Sequence, residues 1–80
     1  MEWKQGMVVR SLCGRDKDTL LCVVAADGKY VYVCDGKERP LEHAKRKNPK
    51  HILATPYTLS PQDLQSNRAV KQALKKLPEA

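Results

Sequence analysis

Eighty residues, 41% of them hydrophobic, make one small domain whose thin core leaves no room for a deep catalytic cavity. Fifteen Lys and Arg against nine Asp and Glu give a net charge of +6, which suits a polyanionic partner such as nucleic acid. No apolar run reaches the length of a membrane-spanning helix, so a membrane protein is not expected.

The start Met1-Glu2-Trp3-Lys4-Gln5-Gly6 has no apolar h-region, so no secretory leader is expected. Cys13, Cys22 and Cys34 are an odd set without CxxC spacing, which points to free thiols in a reducing cytoplasm. With His43 and His51 they lack the paired spacing of a structural zinc site, so no metal and no other cofactor is expected.

In chain order, Gly6–Ser11 reads as a first strand, and Leu12–Asp18, with Gly14 among charges, as a loop. Thr19–Ala26 and Lys29–Cys34 are β-branched, apolar runs flanking Asp27-Gly28, a hairpin signal for a two-residue type I′ turn. That turn predicts Val24 opposite Val31 and Cys22 opposite Val33, with Ala25–Tyr30 and Val23–Tyr32 pairs on the other face. Asp35-Gly36 ends the third strand, and Glu38–Glu42, interrupted by Pro40, reads as an edge strand or an irregular return. A basic connector follows, and His51–Thr55 reads as the closing strand. Five short strands separated by turn residues point to a small barrel.

The tail opens with Ser60 as N-cap, Pro61 at the first helical position and Asp63 at the third, with Leu59 and Leu64 placed as a hydrophobic staple. Leu64, Val70, Ala73, Leu74 and Leu77 form an apolar stripe at helical spacing, and Arg68, Lys71, Lys75 and Lys76 fall on the other face. The expected organisation is a β domain over 1–57 and a helical extension over 58–80 packed on it.

The segment Val8–Asp18 followed by the strand Leu20–Ala25 resembles the KOW motif, a strand, a tight glycine loop with basic neighbours, and a second strand. Four elements carry the likeness in order: Gly14-Arg15-Asp16-Lys17, Asp27-Gly28, Lys45-Arg46-Lys47, and Lys50-His51-Ile52 with Thr55. Together they cover roughly residues 6–55 and are most similar to archaeal and eukaryotic large-subunit ribosomal proteins with an N-terminal KOW barrel, and to their short bacterial relatives. The resemblance implies a mainly β fold, a five-stranded SH3-like barrel here followed by a C-terminal α-helix. It also implies ribosomal or other structured RNA as partner, with ribosomal proteins as further neighbours. One position departs from the pattern. The family follows the loop lysine with a second glycine, where this chain has Asp18. Asp enters the left-handed region at modest cost, but its charge weakens phosphate contact at that corner.

Neutralising RNA phosphates releases condensed counterions, so the binding surface should be built from Lys and Arg. The candidates are Arg10, Arg15 and Lys17 around the loop, Lys37 and Arg39 after the second turn, and Lys45, Arg46, Lys47, Lys50 and His51 in the connector. Three consecutive basic residues at 45–47 repel one another unless an anion is present. Tyr30 and Tyr32, alternating along one strand, serve either base stacking or the core. There is no nucleophile elbow, phosphate-cradling glycine loop or paired-His signature, so no enzyme and no small-molecule substrate is expected. A protein-interaction module without nucleic-acid binding is the rival reading, since small barrels also bind proteins.

Overall fold

The computed structural model describes residues 2–78, so residues 1, 79 and 80 of the expected segments lie outside the described residues. Among the described residues, five antiparallel strands form one sheet: β1 (Met7–Ser11), β2 (Leu20–Ala26), β3 (Val31–Cys34), β4 (Lys45–Lys47) and β5 (Ile52–Thr58). Their order is β4-β3-β2-β1-β5, and a helix, α1 (Asn67–Lys76), follows. No helix among these residues is long and apolar enough to cross a membrane.

β1 and β2 are apolar almost throughout because both faces of the sheet are covered. Side chains alternate along a strand, so Val8, Cys22 and Cys34 turn to one face. There they meet Leu59 and the α1 residues Val70, Ala73 and Leu74. Val9, Leu21, Val23, Val31, Val33 and Ile52 turn to the other face and form a second cluster, against which Trp3 and Met7 pack. Cys22 and Cys34 act as small apolar residues: burial, with Cys34 as a lesser contributor for Cys22 and Asp35 for Cys34, pushes their thiols up to about 12 and about 11.

The β2–β3 hairpin differs in register from the two-residue turn expected at Asp27-Gly28. Ala26 lies opposite Val31 and Ala25 opposite Tyr32; beyond a bulge, Val23 pairs with Val33 and Cys22 with Cys34. The cause is the Asp27 carboxylate, whose Oδ1 accepts from the N–H groups of Lys29 (3.0 Å) and Tyr30 (2.8 Å) and draws both into the loop. The loop is therefore four residues long, and Tyr30 precedes β3 instead of belonging to it. Tyr32 Oη donates to Asp27 Oδ2 (2.9 Å). The Tyr30 and Lys29 amides and the Tyr32 hydroxyl, in that order, hold the Asp27 carboxyl below its ordinary value. Tyr32→Phe is therefore expected to move the Asp27 pKa upward, as followed by NMR titration of the carboxyl carbon; no movement would assign the depression to the amides alone.

Residues 38–42 form no strand: of the two readings the irregular return is the one seen, leading into a 3-10 turn at Leu41–His43, and the fourth strand falls inside the basic run. Pro40 has no N–H to give to a ladder. Lys45, Arg46 and Lys47 instead pair with Val33, Tyr32 and Val31.

The tail starts in two steps. Ser60 and Asp63 do form a cap, with the Ser60 N–H and Oγ donating to Asp63 Oδ2 (3.1 and 3.0 Å), but it opens only a 3-10 turn, Pro61–Leu64. Ser66 is extended (φ −153°, ψ 161°) and its hydroxyl accepts from Ala69 N (3.0 Å), so α1 begins afresh at Asn67. The apolar stripe behaves as expected: Val70, Ala73 and Leu74 are buried, with Leu64 and Leu77 at the margin.

Candidate nucleic-acid interface

Charge on this molecule is organised by a buried lysine. Within the three-residue β4, alternation sends Arg46 to one face and Lys45 and Lys47 to the other. Lys47 is 5% exposed, and its ammonium donates to Ser11 Oγ (3.0 Å), Cys13 O (3.2 Å) and Asp16 Oδ1 (3.0 Å). An ammonium has three donors, and all three are used. Ser11 Oγ, fully buried, lies 2.8 Å from Asp16 Oδ1 and 3.0 Å from Cys13 O, and its single proton serves one at a time. Burial pushes the Asp16 carboxyl up, but hydrogen bonds from Lys47 and Ser11 and the charges of Lys47 and Lys45 outweigh this and hold it below its usual value. Asp16 Oδ2 is buried with no hydrogen-bond partner among the described residues.

Lys47 was expected at the RNA surface with Lys45 and Arg46, and the structure places it inside instead. The repulsion of three adjacent cations is relieved by an internal anion, Asp16, and by alternation along the strand. The effect is to clamp the β1–β2 loop onto β4. A second tie, Leu12 N–H to His51 O (2.9 Å), joins the same loop to the 3-10 turn Pro49–His51.

These ties bring several candidates to one end of the sheet. Arg15 and Lys17 are exposed on the loop, Lys50 and His51 are exposed on the adjoining turn, and half-buried Lys45 lies near enough to act on Asp16. Asp18 stands at φ 71°, in the left-handed region expected of it. Its carbonyl accepts from Arg10 Nη1 (3.2 Å), so Arg10 braces the base of the loop.

The other candidates lie elsewhere. Arg46 is on the opposite face, its guanidinium carbon 4.5 Å from the centroid of the Tyr30 ring. Arg39 is half-buried, and its N–H donates to Asp35 Oδ1 (2.9 Å). Lys37 lines a surface depression with Lys71 and Lys75 of α1, beside Asp18 and Thr19. Those two helix lysines carry helical spacing in the sequence, but nothing there shows that the helix docks beside the 35–37 turn. No three His, Cys, Asp or Glu side chains among the described residues converge on a point that could hold a metal ion. The chain matches no family model, and no curated protein matches it.

Proposed function

We propose that this protein is a small RNA-binding domain, an SH3-like barrel of the KOW type, that grips the phosphate backbone of ribosomal or other structured RNA. Five short antiparallel strands with a basic, glycine-containing β1–β2 loop fit such a barrel. The observation that carries the reading is the clamp. Lys47 and the Leu12–His51 bond hold Arg15 and Lys17 beside Lys50 and His51, with half-buried Lys45 nearby, so that exposed basic residues from two loops share one end of the sheet. Fixing that geometry in advance lowers the ordering cost of binding, and arginine adds bidentate phosphate contacts.

The test is RNA affinity across a salt series. If about five single-strand phosphates are neutralised, the log–log slope is near −3.5, and removing three cations makes it shallower by about 2. Arg15→Ala, Lys17→Ala and Lys50→Ala combined are expected to do so, measured by anisotropy on a structured ribosomal RNA fragment. A flat salt response, or an unchanged slope in the triple variant, would sink the proposal. A second reading, a protein-interaction module, draws on exposed Leu12 (42%) and Leu53 (55%). It is favoured if the protein binds no RNA and one protein partner is lost on Leu12→Ser with Leu53→Ser.

A further inference from the structure

A second feature adjoins the Pro49–His51 turn. Trp3, Tyr30 and Pro49, with Gly28 and Glu2, line a surface pocket of about 410 Å³. Its aromatic walls are held in place. Trp3 is half-buried against the cluster that contains Val9 and Leu21. Tyr30 is fixed through its N–H to Asp27 and by Arg46 at 4.5 Å from its ring centroid, with Lys29 Nζ at 5.7 Å. At Gly28 an added Cβ would meet nothing within 4 Å, so that side of the pocket is open to an incoming planar group.

We infer that this pocket takes one unpaired nucleobase of a bound RNA strand; the inference rests on the RNA-binding reading above and assigns that RNA a second kind of contact. Two π-faces and a proline make a stacking platform for a flat ring. Pro49 is followed directly by Lys50, so a base in the pocket places its own phosphate near that cation. Glu2 supplies an acceptor for an exocyclic amino group, which adenine, guanine and cytosine carry. The other ligands of aromatic pockets suit the charge less well. A methylated ammonium would be repelled by Arg46 and Lys29, the two cations already over the Tyr30 ring, whereas a neutral base would not. A proline-rich peptide would leave the adjoining positive charge without a role.

Trp3 is the chain's single tryptophan, so its fluorescence reports on this pocket alone. The experiment compares a short oligoadenylate with an abasic ribose-phosphate oligomer of the same length and charge, alongside the structured RNA. Oligoadenylate is expected to quench Trp3 emission and to bind about 5- to 150-fold tighter than the abasic oligomer, the range for one stacked base. Tyr30→Ala is expected to close that gap, and the wild-type comparison stands even if the variant fails to fold. Equal binding of the two oligomers with unchanged Trp3 emission overturns the pocket and leaves the RNA reading standing. Absence of binding by the oligomers and the structured RNA alike removes both. Stronger quenching by a trimethyllysine or proline-rich peptide than by oligoadenylate also overturns the assignment.

Discussion

Replacing Lys47 with methionine is expected to lower folding stability by about 3–5 kcal/mol, the cost of removing one partner from a buried ion pair. Exposed ion pairs contribute at most about 1 kcal/mol, so the size of the loss distinguishes the two situations. In the Lys47–Asp16 pair the lysine is buried and the carboxylate largely so, with side chains 5% and 14% exposed. Asp16 would lose its ion-pair partner among the described residues, and with Oδ2 already lacking a hydrogen bond it would keep the Ser11 hydroxyl and the charge of half-buried Lys45 to offset its own. Adding Asp16→Asn removes that stranded charge, so the double variant should recover much of the loss in urea denaturation. A single-variant loss below about 1 kcal/mol would show that the pair behaves as a surface contact.

The same pair sets an acid limit. Because the folded-state pKa of Asp16 is depressed, its contribution is complete above the unfolded value of about 3.9 and is lost as pH falls through the folded value. Asp16→Asn should flatten that part of the pH profile. On the proposed RNA-binding function, Lys47→Met should also weaken RNA affinity, by loosening the β1–β2 loop and not by removing a phosphate contact. Substituting residues 45–47 together would therefore confound folding with binding, which is why Arg15, Lys17 and Lys50 form the cleaner set.

How far the chain could be read in advance depended on where a residue's role was local. β1, β2, β3 and the start of β5 announce themselves because β-branched runs end at Gly14, Asp27-Gly28 and Asp35-Gly36. The hairpin register was not legible, because Asp27 uses its side chain to lengthen the loop, and two-residue and four-residue loops share the same dipeptide. β4 was hidden because Lys-Arg-Lys reads as solvated surface; only the distant Asp16 and Ser11 make burial of Lys47 tolerable. For the site, the sequence put Arg15 and Lys17 on one loop and Lys45–His51 in the connector, and the Lys47–Asp16 and Leu12–His51 contacts join the two groups. The grouping of Lys37 with Lys71 and Lys75 needed the docked helix, which joins positions more than thirty residues apart.

That docking turns on Gly36, and Gly28 supplies its control. Both stand at positive φ, 77° and 88°, where an alanine side chain costs about 1–2 kcal/mol of local strain. They differ in what a Cβ would meet. At Gly28 there is open space, whereas at Gly36 the Cβ would overlap the backbone of α1 at Asn67 O and Lys71 N. Backbone cannot rotate away as a side chain can, so the helix itself must move. Its first turn is tied to the same region through Leu41 N–H to Asn67 Oδ1 (2.7 Å) and Asn67 Nδ2 to Glu42 Oε1 (2.9 Å). Lifting it would uncover part of the Val70 and Leu74 contact with Val8, Cys22 and Cys34. Gly28→Ala is thus expected to cost about 1–2 kcal/mol, and Gly36→Ala about 3 kcal/mol or more once lost burial is added. Urea midpoints measure the difference, and faster amide hydrogen exchange confined to α1 in Gly36→Ala would locate it. Equal costs for the two variants would mean that the helix is not held by this close approach. In that case Lys71 and Lys75 would no longer be fixed beside Lys37, and any RNA contact they make would have to be ordered on binding.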